Sequence, residues 1–175
     1  MTEQQKYTVL QRCGDAEIRA YPQHTVAEVV VDGDFDSAGN KGFRPLFNYI
    51  SGGKVSMTAP VVQTPGQAAG EQGHAVAFVM PADRSPDSLP APSDSRVHLR
   101  VVPQRTAAAL RFSGSGNARD LERRSAQLHA ALVGSTWTAV GPVRLARFNA
   151  PFVPPFLRHN EVVVDVDPVL GDPAG

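Results

Sequence analysis

The sequence predicts an α+β fold: a strongly curved antiparallel sheet with two helices on one side and a groove on the other. Three observations lead there. The first is an internal repeat. Pro22-Gln23-His24-Thr25-Val26-Ala27 reappears as Pro103-Gln104-Arg105-Thr106-Ala107-Ala108, and the same shift of 81 carries Gly33 onto Gly114. The second is element order, in which strands, one helix and more strands are followed by the same series again, the arrangement of an α+β domain. The third is size: 175 residues, 42% hydrophobic and 19% charged, suit one domain with its own core. Two copies of about 80 residues are too few for a solenoid. The expectation is one domain over 1–175, with the repeat at about 6–81 and 96–168, a pseudo-twofold axis and a cleft between the halves.

The elements follow in order. Tyr7–Gln11 and Ala16–Tyr21 read as short strands joined by the Gly14-Asp15 turn. Pro22 ends the second strand, and β-branched, apolar Thr25–Val31 makes a central one. Asp34 or Asp36 caps a helix whose apolar stripe is Phe43, Leu46, Phe47 and Ile50, with Gly52-Gly53 at its end. Pro45 conflicts with that stripe, and predicts a first turn or a kink there. Val55–Gln63 is extended and broken at Pro60; Thr64–Gly73 is a Gly- and Ala-rich loop; Ala75–Met80 is a buried strand. The three prolines of 85–95 mark a connector. In Arg96–Val102 the alternation points Val97, Leu99 and Val101 inward. Thr106–Phe112 is the second central strand, and Ala118–Val133 the second helix, with Leu121, Leu128 and Leu132 inward. Val143–Phe148 and Glu161–Val166 close the sheet around a proline-rich loop at 149–157.

Composition sets limits. Lysine plus arginine equals aspartate plus glutamate at 17 each, so nothing in the charge argues for nucleic acid or an anionic membrane. No stretch approaches the roughly 18 apolar residues of a membrane span. The single Cys13 excludes an intrachain disulfide and a thiolate metal cluster. A cytoplasmic location is the default expectation. No nucleophile elbow, zinc-binding spacing or phosphate-binding glycine loop is present, so catalysis is not expected. Glu28 and Glu161 are the carboxylates nearest apolar runs, and are what a hydrolase reading would use.

Five segments together resemble the SOUL/haem-binding protein family. They are Tyr21-Pro22 with Thr25-Val26-Ala27-Glu28; Gly42-Phe43-Arg44-Pro45-Leu46-Phe47-Asn48-Tyr49-Ile50-Ser51-Gly52; Met57-Thr58-Ala59-Pro60-Val61; Phe78-Val79-Met80-Pro81; and Pro154 through Val162 with its Arg158-His159-Asn160-Glu161-Val162 ending. They span about residues 6–168. The resemblance implies a distorted antiparallel β-barrel of two repeated halves with two flanking helices. It also implies non-enzymatic binding of haem or a related tetrapyrrole for buffering, transport or sequestration. Kinship to the gyrase-inhibitor/effector-binding superfamily implies the alternative, a general binder of planar hydrophobic small molecules. No protein partner can be named from the sequence.

Haem needs an apolar slot, cations for its propionates and, in most proteins, an axial ligand. Met57, Phe78, Met80, Phe148, Phe152 and Phe156 are the candidates for the slot. Arg44 is the candidate for a propionate, with Lys54, Arg147 and Arg158 as further cations. Where some family members carry a histidine before the tyrosine matching Tyr21, this chain has Ala20, which leaves His24 as the candidate iron ligand and Met57 or Met80 as weaker ones. His74 falls in the loop, His98 on a polar strand side, His129 beside the second helix's stripe, and His159 in a motif where a charge role is expected.

Overall fold

The computed structural model describes residues 2–66 and 73–170. Its elements in order are β1 (Glu3–Gln4), β2 (Thr8–Cys13), β3 (Ala16–Tyr21), β4 (His24–Val31), α1 (Phe35–Gly52), β5 (Thr58–Ala59), β6 (Val61–Thr64), β7 (His74–Val79), β8 (His98–Val102), β9 (Arg105–Phe112), α2 (Ala118–Leu132), β10 (Trp137–Arg147) and β11 (Asn160–Pro168). Nine strands form one antiparallel sheet in the order β2-β3-β9-β11-β10-β6-β7-β4-β8. β1 pairs separately, in parallel, with β5.

The two Pro-Gln links of the repeat dictate the curvature. β3 and β4 stand six places apart in the sheet, as do β8 and β9, yet each pair is joined only through Pro22-Gln23 or Pro103-Gln104. Six places of a flat sheet measure about 29 Å, whereas three Cα steps reach at most about 11 Å. The sheet must therefore curl until its ends approach. It remains open, with β2 and β8 as edges, so the expected barrel is realised as a strongly curved sheet. The strand order is also palindromic in repeat terms: β3 adds to β9 of the other half, β8 adds to β4, and β10 meets β6 at the centre.

Alternation sorts the central strands of the sheet. On the outer face Val29, Val76, Phe78 and Ala27 pack against Leu46 and Ile50 of α1, while Ile18, Leu110, Leu145, Val162 and Val164 pack against Leu128 and Leu132 of α2. The inner face presents Ala107, Ala109, Ala146 and Val163 in one patch and Val26, Ala77, Val79 and Val102 in another. Small side chains there leave the groove.

Several expectations are corrected. Asp34 caps α1, accepting from the Ser37 N–H at 2.8 Å, so Pro45 lies well inside the helix, past its first turn. Pro45 is itself buried, and that burial offsets an interior proline's cost of about 3 kcal/mol. Phe47 is exposed, stacked on Phe43 at 5.8 Å, and Phe35, Ala38 and Gly42 complete the buried stripe instead. A Cβ on Gly42 would come within 2.6 Å of Val76, so glycine is what lets α1 approach β7. Val101 is exposed and Val102 buried, because β8 touches the α1 core with one face and lines the groove with the other. His74 begins β7, its Nε2 bonded to Gly33 O at 3.1 Å, and residues 67–72 of the predicted loop lie outside the described residues. β10 starts earlier than expected, with an irregularity between Val140 and Arg144.

Candidate functional site

Two regions of the structure, one on each face of the sheet, gather the groups that could hold a ligand. The first, a cavity of about 450 Å³, lies on the helix side between the start of α1, the turn before α2 and the 149–158 loop. Phe43, Val61 and Pro151 give it apolar walls, and Arg147 and Arg158 face it. The turn before α2 is held tightly: Gly116 N–H donates to Asp120 at 2.9 Å, Asn117 caps the helix through the Asp120 N–H, and Ala118 N–H donates to Asp36 of α1 at 2.8 Å. Gly116 adopts φ 69°, a left-handed conformation that favours glycine. Its carbonyl accepts from Arg147 Nη2 at 2.7 Å, while Arg147 Nη1 donates to the buried Gln63 at 2.7 Å. Arg158 donates to three carbonyls, Val153 and Pro151 at 2.7 Å and Ser115 at 3.3 Å, and so fastens the proline-rich loop to this turn. Burial lowers the Arg147 pKa, which the Asp36 carboxylate opposes and the Arg158 charge reinforces. A guanidinium remains charged regardless, so the cavity holds two cations against the single carboxylate of Asp36.

The second region is the groove on the inner face. Arg19 and Glu161 form a buried bidentate pair, Nη1–Oε1 at 2.7 Å and Nη2–Oε2 at 2.8 Å. His159 Nε2 lies 3.1 Å from Glu161 Oε2, and its ring stacks on Phe148 at 4.1 Å. Tyr21 accepts from Arg19 at 3.0 Å, and Tyr7 lies over the same guanidinium at 4.0 Å. Burial by itself would raise the Glu161 pKa, but the hydrogen bonds and charges of Arg19 and His159 outweigh it, and the value is lowered. Further along, Arg105 and Arg144 both bond Asp165, and Arg100 pairs with Glu28 at 2.8 Å.

The structure separates the residues singled out from the sequence. Phe78 and Met80 are buried, and Met57 packs partly buried against the same α1 core. Phe148 lines the groove beside Glu161. Phe152 and Phe156 stand 87% and 75% exposed on the loop beside the helix-side cavity. Arg44 is on the exposed side of α1. His24 and Met80 line one smaller cavity near Pro81. His24 Nε2 sits 3.2 Å from Gln5 Nε2 and its Nδ1 3.0 Å from Pro22 O, so both ring nitrogens already face partners. Among the described residues no group of three or more His, Cys, Asp or Glu is placed to hold a metal ion. Sequence reasoning passed over Arg19, Arg105, Arg144 and Asp165, because charged residues alternating along a strand read as solvent-facing.

The SOUL heme-binding protein family model matches residues 2–165. The chain belongs to that family. Haem or tetrapyrrole binding is thus its general class, with haem the cofactor in view. No curated protein matches the chain. Among solved structures, the EcmrR C-terminal domain superposes with TM-score 0.67 at 13% identity, covering 93% of this chain and 99% of its own. A hydrolase from Listeria innocua gives TM-score 0.64 at 13% identity, covering 90% and 94%. An uncharacterized conserved protein from Listeria innocua gives 0.66 at 12%, covering 87% and 92%. At such identity these likenesses establish the α+β fold alone. No described helix is long and apolar enough to cross a membrane.

Proposed function

We propose that this SOUL-family chain binds haem or a related flat tetrapyrrole, without catalysis, in the helix-side cavity and beneath the loop that carries Phe152 and Phe156. One observation carries the reading. A cavity of about 450 Å³ joins apolar walls to two guanidinium groups, Arg147 and Arg158, within the size range of small-molecule sites. The apolar macrocycle would lie against Phe43, Val61 and the phenyl rings of the loop, and its carboxylates would meet the arginines. Among the described residues the lining includes no His, Cys, Met or Tyr, so tetrapyrrole recognition here rests on the faces and carboxylates of the ring. His24 would ligate iron through Nε2 only by giving up its contact with Gln5.

A general binder of planar hydrophobic compounds would use the same walls, and dye displacement without preference for haem would favour it. A hydrolase reading has less support, since Glu161 is held by Arg19 and His159 and Glu28 by Arg100. Such carboxylates are poor general acids. Nucleic acid forms no part of the reading, given equal numbers of acidic and basic residues. A cytoplasmic setting belongs to it and rests on the sequence alone.

The test is a hemin titration followed by absorbance. A saturable one-to-one Soret shift is expected, weakened about tenfold in Arg147→Gln, the scale of one hydrogen bond to a charged group, and also weakened in the Phe152→Ala/Phe156→Ala double variant. His24→Ala should bind as wild type. A linear, non-saturating response would sink haem binding, and loss in His24→Ala with Arg147→Gln unaffected would sink this placement.

A further inference from the structure

The groove holds a cavity of its own, of about 210 Å³, on the side of the sheet away from the helices. Its floor is apolar, from Val26, Ala77, Val79 and Val102. Its charged lining is uneven. Arg100, Arg105 and Arg144 face it, against the carboxylates of Glu28 and Asp165 alone. Glu28 is paired with Arg100, so Arg105 and Arg144 share Asp165. They bond different oxygens of it and hold it between them. Each guanidinium carries five N–H donors, and each gives Asp165 one hydrogen bond. Arg105 Nε is buried with no partner among the described residues, so this guanidinium is not fully satisfied by the protein around it.

We propose that this groove is a separate binding site for a small organic anion, a flat apolar body carrying one carboxylate or sulfonate, with Arg105 and Arg144 as its anchors. The charge logic is direct. A monoanion balances the one unmatched guanidinium, whereas a cation would set a second positive charge against it. The apolar floor takes the body of the ligand and two planar forks take the acid group, a geometry that lysine would not reproduce. The surroundings agree: burial lowers the His24 pKa, the Pro22 carbonyl opposes that, and the charges of Arg105, Arg144 and Arg100 add to the lowering, so these three arginines act against a further cation at this end of the groove. The inference stands apart from tetrapyrrole binding, since it uses the opposite face of the sheet and other arginines.

Calorimetric titration with naphthalene-2-sulfonate, and with 2-naphthylmethylammonium as its cationic counterpart, tests the proposal. The sulfonate should bind saturably and the ammonium at least about tenfold more weakly, the scale of one charge-assisted contact. Arg105→Gln and Arg144→Gln, tested singly, each leave Asp165 one partner and so keep the fold, which thermal melting checks. Each should weaken the sulfonate about tenfold. Asp165→Asn removes the resident competitor and should tighten it. No sulfonate binding, equal affinity for the ammonium, or indifference to both arginine variants would overturn the proposal. The two binding readings fail separately, because hemin is followed in Arg147→Gln and the sulfonate in the groove variants.

Discussion

On the helix-covered face the strands present Val29, Val76, Phe78, Leu110, Leu145 and Val162, whereas on the groove face the same strands present Ala77, Ala107, Ala109 and Ala146 beneath a row of ion pairs. Beneath the helices the first face is filled: those side chains interlock with α1 and α2, and their energetics are those of apolar burial. The second is left hollow by alanine and held by Arg19–Glu161, Arg105–Asp165–Arg144 and Arg100–Glu28. One alternation therefore yields a face packed beneath helices and a face held by ion pairs, and charge changes should act differently from volume changes across the sheet.

The largest effect is expected where the groove is least wet. Arg19→Met leaves Glu161 buried with only His159 against it, and should cost about 3–5 kcal/mol, the range for breaking a buried pair. Combining Arg19→Met with Glu161→Leu should return most of that loss, because the desolvation penalty of the buried charges goes with them, while Glu17, which also bonds Arg19 at 2.8 Å, keeps Arg12. Urea denaturation of the single and double variants measures this; a double variant no more stable than Arg19→Met would show that the pair is needed for packing as well as for charge. On the other face, Leu128→Ala should cost about 2–5 kcal/mol with no second-site rescue by a charge.

Acid should single out the same pair. The folded pKa of Glu161 is lowered, so its contribution is complete above the unfolded glutamate value of about 4.3 and is lost as pH falls through the folded value. Glu161→Gln should be less stable than wild type at neutral pH and show a flatter acid limb. Urea midpoints measured from neutral to strongly acidic pH check it; parallel curves for the two proteins would mean that other carboxylates set the acid limb.

These contrasts also explain what was legible beforehand. The Pro22-Gln23 and Pro103-Gln104 echo was visible in the sequence, and it is the feature that forces the sheet to curl. The buried helix positions Leu46, Ile50, Leu128 and Leu132 were also visible, because a helix against a sheet has one apolar side. The groove was not, since a strand residue such as Arg19 or Arg144 looks exposed until the sheet curves and turns its second face inward. Phe47 misled for the converse reason: stacking on Phe43 satisfies it at the surface. Arg147 and Arg158 were recognisable as cations, but only the fold of the 149–158 loop brings them to one cavity. Nothing in Glu3-Gln4 signals a strand, and β1 forms only because Thr58–Ala59 offers it an edge.

The smallest expected effect separates the helix-side cavity from the helix it adjoins. Asn117 caps α2 by accepting from the Asp120 N–H at 2.9 Å and also lines the cavity. Asn117→Ala should cost about 1 kcal/mol, the usual loss of a cap, or roughly 2–4 °C in Tm for a chain of this size. Asp34 caps α1 in the same way, through Ser37, but does not line the cavity. If the turn before α2 positions Arg147 through the Gly116 carbonyl, loosening it should weaken hemin in Asn117→Ala, while Asp34→Ala destabilises α1 and leaves hemin affinity unchanged. Melting curves and hemin titrations on the two variants decide between a cap that serves only its helix and one that also shapes the site: equal hemin affinity in both would assign Asn117 to the helix alone.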